Sequence, residues 1–238
     1  MQVRADKVSV EGPHGTLLPP TSLTVAEGEL AVLHGDPGVG ITAFGLALAG
    51  RVKPTTGTVT VDHATSADSA AKLRDAVAVV DSPDVSEPDD ALPLRVVVGE
   101  ELALAHRPAG KDAVLRWLTE HDLAGQAGVR FENLAPEVRT RLLTNLAAER
   151  RGVRMLVLDR PDRHTSEVEG WWMLAREHAE RGLAVVVLTA TVPVGALPST
   201  PALAGADQQP PPQRCAPPEE PGATAIITGE HDTTGAEA

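Results

Sequence analysis

The chain holds 238 residues, 42% of them hydrophobic and 23% charged, enough for one domain with a full core, and neither a wholly disordered nor a fibrous composition. Aromatic residues make up only 2%, with no tyrosine, so the core must be aliphatic and rings for stacking nucleic-acid bases are nearly absent. Lys and Arg number 21 against 33 Asp and Glu, a formal net charge of −12, and that field argues against a nucleic-acid partner.

In chain order, short aliphatic runs alternate with stretches of helical period. Strands are expected at Glu29–His34, Gly57–Val61, Ala76–Val80, Met155–Asp159 and Leu183–Thr189. Helices are expected at Thr42–Ala49, Leu94–Ala105, Ala113–His121, Val138–Glu149 and Glu167–Arg181. This alternation predicts an α/β domain with a mainly parallel sheet. Between about residues 92 and 150 helices follow one another without a strand, which predicts a separate helical lobe. Adjacent Trp171 and Trp172 cannot both face one side of a helix, so one is expected to pack and the other to be partly exposed or to meet a partner.

After Thr191 the composition changes to Pro, Gly, Ala and Thr, with Pro210-Pro211-Pro212 and six acids against Arg214. Residues 192–238 therefore read as a disordered acidic tail, with Ala225–Thr228 as a candidate docking segment. The single Cys215 permits no internal disulfide, and the eight histidines show no metal-ligand spacing. No run approaches the roughly 20 apolar residues of a membrane span, and residues 1–10 lack a signal core. A soluble, cytoplasmic chain is the expectation.

Two stretches carry candidate chemistry. The run Gly35-Asp36-Pro37-Gly38-Val39-Gly40-Ile41-Thr42 follows a strand and opens a helix. Glycines there let backbone N–H groups turn toward phosphate oxygens, the helix terminus adds positive potential, and the Thr42 hydroxyl can ligate Mg²⁺. A tight strand-to-helix turn is the plainer reading of the same residues. The pattern G-x-x-x-x-G-K-[ST] is met except at its lysine, where Ile41 stands. The second stretch, Met155 to Pro161, is an apolar strand ending in Asp159, which either binds Mg²⁺ beside Thr42 or caps a turn.

The order of these elements resembles the ATP-binding cassette (ABC) ATPase subunit of membrane transporters, over about residues 1–191. Leu23-Thr24-Val25-Ala26-Glu27-Gly28-Glu29-Leu30 is similar to the strand and turn before that family's phosphate loop, and Leu48-Ala49-Gly50 with Pro54-Thr55-Thr56-Gly57-Thr58-Val59 to its "LAG…PTSGTV" stretch. Leu134-Ala135-Pro136-Glu137-Val138-Arg139 stands where the signature LSGGQ-R falls, Leu158-Asp159-Arg160-Pro161 for L-D-E-P, and Val187-Leu188-Thr189-Ala190 for the last strand and its switch histidine.

The resemblance implies a P-loop fold with an inserted helical subdomain, ATP and Mg²⁺ as cofactors, a transmembrane transporter subunit as partner, homo- or heterodimerisation, and a place on the inner face of the membrane. It implies ATP contacts from Gly35 to Thr42 and from Ala43, with Mg²⁺ on Thr42 and Asp159; His14 stands nearest the family's adenine-stacking ring or is an ordinary surface-turn histidine. Asp81 or Ser82 stands near the family's Mg²⁺-sensing glutamine. The catalytic positions are degenerate. Ile41 replaces the phosphate-clamping lysine, Arg160 the glutamate that polarises water, and Ala190 the histidine at the γ-phosphate. Ala135 and Pro136 replace the Ser and Gly that reach a partner's nucleotide, and proline has no N–H to offer. Little or no intrinsic hydrolysis is expected, with Arg160 either supplying the cation that Ile41 lacks or pairing with Asp159 or Asp162. A nucleotide-free docking or regulatory module of the same fold is the alternative.

Overall fold

A computed structural model describes residues 1–62, 64 and 66–215. The chain runs β1 (Gln2–Gly12), β2 (Gly15–Ala26), β3 (Glu29–His34), α1 (Ile41–Leu48), β4 (Thr56–Val61), α2 (Ser66–Ala76), β5 (Val77–Val80), α3 (Leu94–Leu104), α4 (Lys111–Glu120), α5 (Pro136–Ala148), β6 (Met155–Asp159), α6 (Val168–Glu180), β7 (Ala184–Thr189), β8 (Ala202–Leu203) and β9 (Gln213–Arg214).

The main sheet has the order β5-β6-β7-β3-β8, all parallel, with β9 antiparallel on β3. A second, antiparallel sheet of order β2-β1-β4 lies beside it. Strands β5, β6 and β7 are almost continuously apolar because both faces are covered. Alternation sorts the side chains of these strands and of β3: Ala31, Leu33, Val79, Val157, Val186 and Leu188 meet α1 and the antiparallel sheet, while Leu30, Val32, Val80, Leu158, Val185 and Val187 meet α3 to α6. Phe44 of α1 is fully buried, a burial worth about 1.5–3 kcal/mol.

Every strand and helix expected from the sequence is present to within a few residues. The antiparallel sheet lay largely outside that expectation, because β1 alternates polar and apolar residues with one face toward solvent. Residues 94–148 hold α3, α4 and α5 with no named strand, the expected helical insertion, whose buried residues also pack on one face of the sheet. Two further expectations are corrected. Trp171 and Trp172 are both buried in that core. The chain from Pro193 to Cys215 is packed on the domain: β8 and β9 pair with β3, Ala202 and Cys215 are buried, and Cys215 N–H donates to Gly28 O. Backbone pairing, which needs no bulky apolar side chain, secures this stretch. Ala225–Thr228 lies outside the described residues.

Candidate nucleotide site

Parallel strands deliver their following loops to one edge of the sheet, where ligands bind in such folds. Residues 35–40 leave β3 there, and Arg160 leaves β6 there. Gly35 N–H donates to Thr189 O of β7 and Arg160 N–H to Leu188 O, so both loops are pinned to the strand between them. The His34 ring lies 3.3 Å from Thr189 Oγ1 through Nδ1.

Gly40 precedes α1 in the left-handed region, φ 68°, and a Cβ on it would come within 2.5 Å of Leu17 O from β2; only glycine fits. No side chain caps α1, so its first-turn amides, which have no intrahelical acceptor, gain none from a cap. Ile41 is 4% exposed. A Cβ built on Gly35 would meet Ile41 Cγ2 at 2.7 Å and Ala204 Cβ at 3.2 Å, so the isoleucine fills the inside of the loop and the segment after β8 closes one flank.

Thr42 Oγ1 donates to Asp159 Oδ1 at 3.1 Å, and Ser82 Oγ donates to Asp159 Oδ2 at 2.7 Å. The Asp159 side chain is fully buried, and Arg160 Nε approaches its Oδ1 at 3.4 Å with the guanidinium one-third exposed. Thr42, Ser82 and Asp159 form a set of hard oxygen donors of the kind Mg²⁺ accepts, and in that respect the residues fit the ion. Arg160 holds left-handed backbone, φ 54°, an unusual state for a long side chain. It turns back onto Asp159.

Asp81, a candidate Mg²⁺ ligand in the sequence, faces elsewhere. Its carboxylate accepts from Arg139 Nε at 3.1 Å and Nη2 at 2.9 Å, lies 3.1 Å from Arg163 Nη2, and is 2.9 Å from His164 Nε2. Ser82, its neighbour, occupies the position at Asp159. Burial alone would raise the Asp81 carboxyl, but His164 and the two guanidiniums outweigh it and hold it well below the usual carboxylate range. Asp81, Glu87 and His164 come close enough to hold a metal. Because Arg139 and Arg163 also bond both carboxylates, the group is an ion-pair network already supplied with positive charge.

Ala190 brings no side chain to the site. Its N–H, with those of Thr191 and Val192, donates to Asp162 Oδ2 at 2.9, 2.6 and 3.2 Å, and Thr191 Oγ1 donates to the same oxygen at 2.7 Å. Asp162 thus fills an amide nest after β7 with a carboxylate of the chain itself. Sequence reasoning weighed Asp162 only as a partner for Arg160 and missed this role, for which a lone Asp after a proline gives little signal. His14 sits exposed in the turn between β1 and β2 with no bonded partner among the described residues. Asp36, Pro37, Gly38 and Val39 form the exposed or half-exposed crest of the loop, closed by Val39 N–H on Asp36 O.

This arrangement, a glycine loop entering a helix beside an aspartate-tipped strand of a parallel sheet, defines a P-loop nucleotide-binding class of fold. A family model for ABC transporters matches residues 18–161, more than half of the chain, and the chain belongs to that family as an ATP-binding-cassette-type protein. Solved structures agree in fold. An ATP-binding subunit of an ABC transporter matches at 16% identity and TM-score 0.57 over 80% of each chain. A putative ABC transporter ATP-binding protein from Pyrococcus furiosus matches at 15% and 0.59, over 80% of this chain and 92% of its own. The dimeric cassette MJ0796, in a post-hydrolysis state with ADP and Pi, matches at 21% and 0.59, over 79% and 87%. No curated protein matches this sequence.

Proposed function

We propose that the chain is the ATP-binding subunit of an ABC-type membrane transporter, taking Mg-ATP at Gly35–Ala43 with little or no hydrolysis of its own. The observation that carries this reading is the bond between Thr42 and Asp159 at the carboxyl edge of the sheet. Free first-turn amides of α1, aided by the helix terminus, would bind phosphate oxygens. Thr42 and Asp159 would hold Mg²⁺, with Ser82 orienting the carboxylate; the ion would neutralise phosphate charge. Arg160, already at Asp159, would add the positive charge that Ile41 does not.

Hydrolysis is a different demand. Arg160 is already protonated and cannot accept a proton from water, Ala190 has no group for a γ-phosphate, and each missing catalytic group costs about 10³-fold or more, non-additively. Turnover would then come from a second cassette with intact groups, in a dimer on the cytoplasmic face of the membrane. A docking module without nucleotide is the second reading. The Asp162 carboxylate in the amide nest and the buried Ile41 inside the loop favour it.

Calorimetry and thermal unfolding with ATP, with and without Mg²⁺, separate the two. A ligand at about 100 times its Kd adds about 2.7 kcal/mol of stability. Mg²⁺-dependent stabilisation that disappears in Thr42→Ala and Asp159→Asn supports the nucleotide-binding subunit. No stabilisation at millimolar ATP assigns the fold to docking alone.

A further inference from the structure

At the edge of the sheet opposite the phosphate loop, where β5 begins and the turn before β6 ends, a cavity of about 350 Å³ is lined by Arg51, Arg74, Arg150, Arg151 and His106, with Asp75 as its only carboxylate among the described residues. A second cavity of about 580 Å³ shares Arg51 and Arg74 with it and adds Lys53. Five of the chain's 21 Lys and Arg therefore converge on one cleft of a protein whose net charge is −12. Like charges gathered this way repel one another, which makes the arrangement costly until an anion arrives.

Only one of the four arginines lining the first cavity is held by an ion pair among the described residues. Arg51 and Arg151 are exposed and have no acceptor or ion-pair partner among the described residues. Arg74 reaches only a backbone carbonyl, Gly50 O, at 3.2 Å. Arg150 bonds Glu101 through Nη2 at 2.6 Å, yet its Nε is buried with no acceptor, a donor whose desolvation nothing offsets. The nearby Glu149 is held by Arg107. Three separate backbone segments, after α1, in α2 and after α5, bring these guanidiniums together. Their planar forks match an anion that presents several oxygens in more than one direction.

The geometry points to a second anion site in this cleft, distinct from the glycine loop and independent of whether that loop binds ATP, for a ligand bearing phosphate-monoester or polyphosphate groups. Such a ligand could arrive free in solution or as the headgroup of an anionic lipid, and the chemistry of recognition is the same.

The test uses the full chain with two probes, inorganic tripolyphosphate by calorimetry and vesicles of phosphatidylcholine with and without phosphatidic acid by co-sedimentation. The Arg51→Ala/Arg151→Ala pair removes two exposed cations that hold nothing in the fold, and its melting curve verifies that it folds. Thr42→Ala separates this cleft from the loop. We expect one of the probes to bind, with affinity falling at least tenfold in the double variant, unchanged in Thr42→Ala, and declining as salt is raised. A response to tripolyphosphate alone identifies a soluble ligand; a response to phosphatidic acid alone identifies a headgroup. Binding of neither, or binding lost in Thr42→Ala but retained in the double variant, overturns the proposal.

Discussion

Arg139 of α5 and Asp81 at the end of β5 form a buried two-pronged pair, with Nη2 on Oδ1 at 2.9 Å and Nε on Oδ2 at 3.1 Å. The guanidinium also covers the Phe131 ring at 4.5 Å and bonds Glu87 and Asp90. One side chain thus ties the helical region to the strand next to the site. Removing one member leaves the other charged and buried, so Arg139→Ala should lose about 3–5 kcal/mol, read as a fall in the urea midpoint without a change in slope. Asp81 gives this network an acid limit. Its folded pKa is depressed, so its stabilisation is full above the unfolded value of 3.8 and is lost as pH falls below that toward the folded one.

His178 sets a second pH dependence at milder acidity. Burial, reinforced by Arg181 and Arg141, pushes its pKa down from 6.5 to about 4, and the ring sits 3.2 Å from Asn145 Oδ1. The unfolded chain takes up the proton first as pH falls. Stability from this group is therefore full above 6.5 and declines to a floor near 4, a loss of roughly 3 kcal/mol. His178→Gln should flatten the melting temperature across that interval while leaving the acid limit of Asp81 in place.

Restoring the lysine tests what Ile41 has taken away. Ile41→Lys places an ammonium where a buried side chain now packs under Gly35, so the unliganded protein should melt lower. Added Mg-ATP should more than recover the loss, and affinity should rise at least tenfold. Phosphate release should stay at background until Arg160→Glu is added, since the clamp alone supplies no base. Hydrolysis in the single variant would show that the missing base had been misassigned.

The carboxylate of Asp162 holds the turn Ala190–Val192 through three amides and a hydroxyl. Hydrogen bonds to a charged acceptor contribute about 1.5–3 kcal/mol each, non-additively. Asp162→Ala should cost about 3 kcal/mol in chemical unfolding, and Asp162→Asn less, because one oxygen remains to accept. Amide exchange at residues 190–192 should speed up in the alanine variant before global unfolding does.

How far the sequence disclosed this protein varies with the physical signal each part carries. The buried strands β5, β6 and β7 are aliphatic runs, chiefly Val, Leu and Ala, broken only at the last residue of β6 and of β7, and the glycine spacing of residues 35–40 fixes a loop that few other sequences need. Those parts were legible. The edge pieces β8 and β9 were not, because proline, glycine and alanine say little about burial when the bonds are made by the backbone. Ser82 and Asp81 illustrate the remaining limit: adjacent residues point opposite ways, and only the left-handed backbone of Asp81, φ 55°, decides which of them reaches Asp159. Arg139 was recognisable as the end of a signature stretch, but its four acidic contacts depend on loops whose course no local pattern records.

The pairing of β8 and β9 with β3 also governs how this protein keeps company with copies of itself. Leu33 and His34 pair with β8, and Glu29 and Leu30 with β9, so the outer side of the central loop-bearing strand is dressed at both ends by the chain's own later residues. A chain cut back to Thr191 would carry β3 as a bare hydrophobic margin, open to another copy's strand. The stretch that looks like a dispensable extension is what keeps that margin closed, and shortening it should raise the tendency of copies to associate through β3.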